Sequence, residues 1–153
     1  MEWLVVSDSH GMSGNLYDVL ESHRDIEGLF FLGDGLHDIE YLKGTHPDLK
    51  VYAVCGNCDK PGAPTEGIAD CGGVRVLYTH GHMYGVKSAL GPLCRHAKEQ
   101  GAAVALYGHT HNPLCGTQDG VLLANPGALS HFPIQYGILT VENGVASFQL
   151  RMA

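Results

Sequence analysis

No run of lysine or arginine occurs in the 153 residues, and basic side chains are few: 9 Lys and Arg against 16 Asp and Glu, a formal net charge of −7. A basic nucleic-acid groove is therefore not evident. No apolar stretch approaches the roughly 20 residues that cross a bilayer. The apolar start is only a few residues long and lacks a basic leader, so no secretory signal is expected. Cysteine is sparse and odd in number (Cys55, Cys58, Cys71, Cys94 and Cys115), which gives no dense disulfide framework and favours a reducing cytoplasm. Internal repeats, linkers and low-complexity segments are also lacking, so one domain over residues 1–153 is expected, long enough for a real core. The oligomeric state stays open, a homo-oligomer included.

What the chain does have is glycine, 21 residues of it, much of it beside short polar segments. Five such segments read Asp8-Ser9-His10, Gly33-Asp34, Gly56-Asn57-Cys58-Asp59, His80-Gly81-His82 and Gly108-His109-Thr110-His111. Four follow apolar runs of strand type: residues 3–6, 29–32, 51–54 and 104–107. The fifth follows the alternating stretch 74–79. Polar groups at repeated strand exits converge on one edge of a sheet, where open α/β sheets bind ligands. Histidine with carboxylate suits hard-to-borderline divalent metals. Seven N and O donors are too many for one tetrahedral zinc and suit a two-metal site. The acidic net charge does not oppose an anionic substrate, because two divalent ions bring four positive charges and Asp8 and Asp34 cancel two.

The order of elements predicts an α/β fold. Strands are expected at 3–7, 29–32, 50–55 and 103–108. Helices are expected at 13–24, with Ser13 as N-cap and Leu16, Val19 and Leu20 on one face, at 36–43, and at 86–100, where Gly91-Pro92 should break or restart it. The βαβαβ start argues for parallel strands. Residues 60–66 read as a loop. Hairpins are expected about Gly72-Gly73, Asp119-Gly120 and Asn143-Gly144.

D-x-H, G-D, G-N, H-G-H and G-H-x-H in this order, over residues 5–127, resemble the calcineurin-like metallophosphoesterase superfamily. The short chain and the Gly56-Asn57-Cys58-Asp59 motif resemble its small single-domain phosphodiesterase branch of bacteria and archaea. A related eukaryotic retromer subunit is a non-catalytic cousin. The resemblance implies a four-layer α-β-β-α sandwich of two mixed sheets. It places Asp8, His10, Asp34 and His111 on one metal, and Asp34, Asn57, His80 and His109 on the other. Asp34 is the expected bridge, since a carboxylate has two oxygens. In D-x-H and H-x-H, side chains two apart on an extended segment would point the same way. Asn57 supplies a neutral oxygen. His82 either hydrogen-bonds a ligand or phosphate, or faces solvent from a loop. His37 and His131 are weaker pocket candidates, while His23, His46 and His96 read as surface residues.

The implied activity is phosphodiester hydrolysis by a hydroxide held between two divalent ions, with Asp34, Asn57 and His82 as the catalytic set. Mn²⁺ fits the oxygen- and nitrogen-rich ligation; Ni²⁺, Zn²⁺, Co²⁺ and Fe²⁺ are also compatible. The implied partner is a small phosphodiester. Rival readings are a phosphomonoesterase on the same fold and a retromer-like scaffold; a scaffold is free to lose ligand histidines, and this chain keeps a full set. Phosphomonoesterases of this superfamily carry a His after Gly-Asn, where this chain has Cys58, and an Arg after Gly-Asp, where it has Leu36-His37. Both absences favour a monoanionic diester. Ala128 stands where a Ser commonly follows Asn-Pro-Gly. Cys55-x-x-Cys58 has no partner pair at zinc-finger spacing, and Cys55 reads as a buried small hydrophobe.

Overall fold

The structure is a computed structural model describing residues 1–153. The first sheet begins with β1 (Glu2–Val6), α1 (Ser13–Ser22), β2 (Gly28–Phe31), the single-turn helices α2 (Leu36–Ile39) and α3 (Leu42–Thr45), and β3 (Val51–Ala53). The three strands are parallel, with Val5 opposite Phe30 and Leu29 opposite Val51. The second sheet is built from β4 (Glu66–Cys71), β5 (Val74–Thr79), β6 (Val104–Leu106), β7 (Leu114–Gln118) and β8 (Val121–Asn125), ordered β4-β5-β6-β8-β7. Strands β5, β6 and β8 run parallel, and the edge strands β4 and β7 are antiparallel to their neighbours. A 3₁₀ turn (His82–Tyr84) and α4 (Gly91–Glu99) connect β5 to β6. The hairpin β9 (Gln135–Glu142) and β10 (Val145–Met152) then returns to the first sheet, giving the order β10-β9-β1-β2-β3.

The continuous apolar runs are explained by burial on both faces. Trp3, Val5, Phe30 and Leu32 point inward against Val76, Val104 and Leu106 of the other sheet. Leu4, Val6, Leu29 and Phe31 point outward against Leu16, Val19 and Leu20 of α1. On the far side Leu77, Ala105 and Leu123 pack on Leu93, Cys94 and Ala97 of α4. The layers are helix, mixed sheet, mixed sheet, helix, as expected.

Several boundaries differ from expectation. Ser13 is the first helical residue; Met12 holds the N-cap position and no side chain caps α1. That helix stops at Ser22, because His23 leaves helical geometry and its ring bonds the Tyr136 hydroxyl at 2.9 Å. The helix expected at 36–43 is two separate turns. The helix expected from 86 begins only at Gly91, with Pro92 in its first turn, where a missing N–H removes no helical bond. Glu66 belongs to β4 rather than to the preceding loop. The hairpin turns keep positive φ at both central residues, 50° and 80° at Asp119-Gly120 and 53° and 76° at Asn143-Gly144, as a type I′ turn requires.

Candidate metal centre

The residues after β1, β2, β3, β5 and β6 meet at one edge of the sandwich, where the C-terminal ends of parallel strands open. Seven non-glycine residues have positive φ, and five of them are Asp8, His10, Asp34, His109 and His111. The remaining two are the hairpin residues Asp119 and Asn143. Left-handed backbone is costly for such residues and persists where surroundings over-determine it. The expectation of extended D-x-H and H-x-H segments is thus corrected: kinks, not strand alternation, aim these side chains. The same kinks send His109 and His111 to different donor groups.

Asp8, His10 and His111 form the first group. His111 Nε2 lies 3.1 Å from Asp8 Oδ1 and 3.2 Å from His10 Nε2. His10 Nε2 lies 3.6 Å from Asp8 Oδ1 and 3.9 Å from Asp34 Oδ2. The second group centres on His80 Nε2, which is 3.0 Å from Asn57 Oδ1, 3.2 Å from His109 Nδ1 and 3.3 Å from Asp34 Oδ2. Donors bound at ~2.1 Å to one ion stand ~3.0–3.4 Å apart for octahedral or tetrahedral angles. The second group and the His111 pairs of the first meet this spacing, while His10 stands somewhat wide of Asp8 and Asp34.

The carboxylates divide their oxygens. Asp8 Oδ2 accepts from the Ser7 hydroxyl at 2.5 Å and the His109 N–H at 3.2 Å, while Asp8 Oδ1, fully buried, has no hydrogen-bond donor. A buried carboxylate oxygen left so is costly unless a cation meets it. Asp34 Oδ1 accepts from the Cys58 N–H at 2.8 Å, which leaves Oδ2 facing both groups. A bridge through Asp34 would therefore use one oxygen, not one for each ion.

Surrounding groups fix these atoms. His80 Nδ1–H donates to the Leu32 carbonyl at 2.6 Å, which leaves Nε2 with its lone pair free. Gly56 and Gly108 allow the loops to close: a β-carbon at Gly56 would collide with the Asp34 carboxylate, and one at Gly108 with the Ser7 hydroxyl. Asp59 accepts from the N–H groups of Asp34, Gly35, Leu36 and Gly56, at 2.7, 2.8, 3.0 and 2.9 Å. Buried Asp38 accepts from the Ser9 hydroxyl and the Gly11 N–H, tying the His10 loop to α2.

Sequence reasoning did not single out Asp59 or Asp38. The signal for Asp59 was its place at the end of the third motif, beside a glycine-flanked Asp34 turn. Asp59→Ala is expected to lower the stability of the metal-free protein by roughly 2–5 kcal/mol, because it strands four N–H groups. It should also weaken metal binding by about 10–100-fold. Urea unfolding and a metal titration check both; no change in either would dismiss this role.

The electrostatics match the geometry. Burial pushes the Asp34 carboxyl up, but His80 and the Cys58 N–H together hold it far below the usual carboxylate range. Burial pushes the His80 imidazole down, yet the bond to Asp34 and the charge of Asp8 outweigh it and raise it. Burial and the neighbouring His80 lower both His82 and His109.

Of the other candidates, His82 is half-buried, its ring 5.4 Å from His80 and 6.1 Å from His109, and its Nδ1 is buried without a partner. It is not a solvent-facing loop residue. His37 is exposed and lies 3.3 Å from Glu40. His131 is exposed and bonds the Pro133 carbonyl. His23, His46 and His96 are half-buried rather than surface residues; His96 bonds Glu66 at 2.9 Å and stacks on Tyr84. Cys55 is buried and Cys58 exposed, both as free thiols.

Two mixed sheets that carry paired histidines and carboxylates at their strand ends define a metal-dependent phosphoesterase architecture. The chain belongs to the calcineurin-like phosphoesterase superfamily: the model of that superfamily domain matches residues 1–144. It is 34% identical over 154 residues to the probable metallophosphoesterase YsnB of Bacillus subtilis, covering 96% of this chain and 88% of that protein. It is 33% identical over 111 residues to vacuolar protein sorting-associated protein 29 of Schizosaccharomyces pombe, covering 72% of this chain and 59% of that protein. A solved archaeal phosphodiesterase superposes with a TM-score of 0.79 at 22% identity, over 99% of this chain and 100% of that one. No helix is long and apolar enough to cross a membrane.

Proposed function

We propose that this chain is a metal-dependent phosphodiesterase that holds two divalent ions, with Mn²⁺ the best match to its donors. One would lie among Asp8, His10, Asp34 and His111, the other among Asp34, Asn57, His80 and His109. The observation that carries this reading is the unpartnered Asp8 Oδ1, buried within reach of two histidine nitrogens and beside a second set of four donors. When bound, the ions supply Lewis acidity to phosphoryl oxygens and bring the attacking water toward neutrality in pKa. The chain's own part is positional. Asp34 presents one oxygen between the groups, and Asn57 adds an oxygen without adding negative charge. His82 offers a neutral ring beside His80 and His109, suited to hydrogen-bonding a phosphoryl oxygen.

A diester is favoured over a monoester by what flanks the donors. Leu36 and His37 follow the Asp34 turn, where a guanidinium would clamp a dianion, and His37 is turned to Glu40. In the metal-free protein desolvation and Asp34 raise the thiol of Cys58, and a thiol is in any case a weak hydrogen-bond donor. The test is metal-stripped protein with each divalent ion restored singly, assayed on aryl diesters and the matching monoesters. Diester turnover that depends on added ion supports the reading. Monoester turnover that exceeds it would replace this reading with the phosphatase one.

Metal uptake should release protons. In the metal-free protein His80 stays protonated to higher pH than a free imidazole, and a ligand histidine must be neutral. Its stabilising contribution is full below the unfolded value near ~6.5 and is lost as pH rises through the raised folded value. That of Asp34 is present above the unfolded carboxylate value near ~3.9 and is lost as pH falls through the depressed one. Metal-free protein should therefore be most stable between these two titrations, and added metal should carry the optimum to higher pH. Activity should decline on acidification with a midpoint that moves lower as metal concentration rises. Thermal melts across pH, with and without metal, check the first statement, and rate profiles at two metal concentrations check the second. A midpoint indifferent to metal would assign the profile to another group.

A further inference from the structure

A cleft of about 840 Å³ opens beside the donor groups, between the 58–63 loop, the edge of β3 and the α2–α3 turns. Its floor is aliphatic: Leu36, Ile39, Leu42, Leu49, Val51 and Ala53. Its volume lies in the range of pockets that take whole small molecules, far above what a methyl or ethyl group fills. The cleft is continuous with the candidate centre through Cys58. That residue lines the cleft, and its sulfur lies within 4.8 Å of donor atoms of His10 and Asp34. A phosphorus atom seated at the donors would thus direct one ester arm past Cys58 into it.

Charge at the rim narrows the arm further. Lys43 and Lys60 line the cleft, both exposed. Glu40 lies against His37, and the Asp59 carboxylate is saturated by four backbone N–H groups. The rim therefore sets two lysines against two carboxylates, and with the Asp59 oxygens taken up by backbone N–H groups the lysines are the donors that face an arm lying over the apolar floor. An arm with a flat apolar body and acceptor oxygens at its edge matches both. Resting on the phosphodiesterase reading above, we infer that the cleft is the subsite for one arm of the substrate, and that this arm is of nucleoside type, a planar heteroaromatic base on an oxygen-rich sugar.

The test compares two esters with one leaving group, thymidine 5′-(4-nitrophenyl) phosphate and methyl 4-nitrophenyl phosphate, on the Mn²⁺-loaded full chain. Because both release 4-nitrophenolate, their difference reports only the retained arm. The nucleoside ester should have a kcat/KM higher by at least about tenfold. Ala63→Trp and Val51→Trp, which fill the cleft from opposite walls without touching a donor residue, should each abolish that preference. They should leave the methyl ester within about twofold of the unmodified protein. Equal kcat/KM for the two esters, or variants that depress both alike, would overturn the inference.

Turnover of neither ester would count against the phosphodiesterase reading instead. The subsite is then read by binding. Amide resonances of Val51, Ala53 and Ala63 in the Zn²⁺-loaded protein should shift with the nucleoside ester and stay fixed with the methyl one. Unshifted resonances with both esters overturn the subsite.

Discussion

Asp34→Asn should lower bound metal from about two ions per chain to near none and reduce diester turnover by on the order of 10³-fold or more, since losing both Lewis acids removes several kcal/mol of transition-state stabilisation. The reasoning is atomic. Oδ1 accepts the Cys58 N–H, so the Asn oxygen will keep that position, and the amide NH₂ must then occupy the place of Oδ2. There it points two donor hydrogens at His80 and His10, where the carboxylate offered a lone pair to each group. A flipped amide fares no better, because it sets NH₂ against the Cys58 N–H. Either way both donor groups lose their shared anion. Asp8→Asn, by contrast, should empty the His10–His111 group first and leave part of the other. Elemental analysis of reconstituted protein, with circular dichroism as a control for folding, distinguishes the two variants. Two ions retained by Asp34→Asn would show that the groups do not share this carboxylate.

The strand-end donors were legible because their chemistry is local. Asp8, His10, Asp34, Asn57, His80, His109 and His111 each sit one to five residues beyond an apolar strand, and a sheet brings such ends together whatever the details of the turns. The turns themselves were not legible. Whether Asp8 and His10 point alike depends on the sign of φ at each, 55° and 43°, which is imposed by bonds to distant segments such as His10 N–H to the Asp34 carbonyl. Asp59 and Asp38 escaped for a related reason. An acidic residue in a loop reads as a solvated turn until the N–H groups it collects, up to 27 residues away in sequence, are in view. Helix limits failed at weak local signals. Ser13 has the right chemistry for an N-cap, but the chain enters α1 at Met12 because its N–H bonds the Ser9 carbonyl, which turns the preceding loop one residue early.

Reactivity should depend steeply on the leaving group, with aryl diesters faster than alkyl ones by on the order of 10³-fold or more, about what a missing general acid forfeits. Cys58 is exposed, and its thiol lies close to the His10 and Asp34 donor atoms, beside the ester oxygens of any phosphorus seated there. A thiol is a weak hydrogen-bond donor, and in the metal-free protein desolvation and the Asp34 charge raise it further, so little assistance to departure is expected from it. His82 does not compensate as an imidazolium, because burial and His80 hold it neutral. Cys58→Ala keeps the backbone N–H that secures Asp34 Oδ1 and should therefore change aryl diester rates by no more than about threefold. Cys58→His should flatten the leaving-group dependence and raise turnover of alkyl diesters and of monoesters, since an imidazole there can donate near neutral pH. The measurement is a series of diesters graded in leaving-group pKa, run on all three proteins at matched metal content. A large loss in Cys58→Ala, with metal and folding intact, would give the thiol a catalytic part that this reading denies it. A shallow dependence in the unmodified protein would instead place the proton donor on His82 or His37.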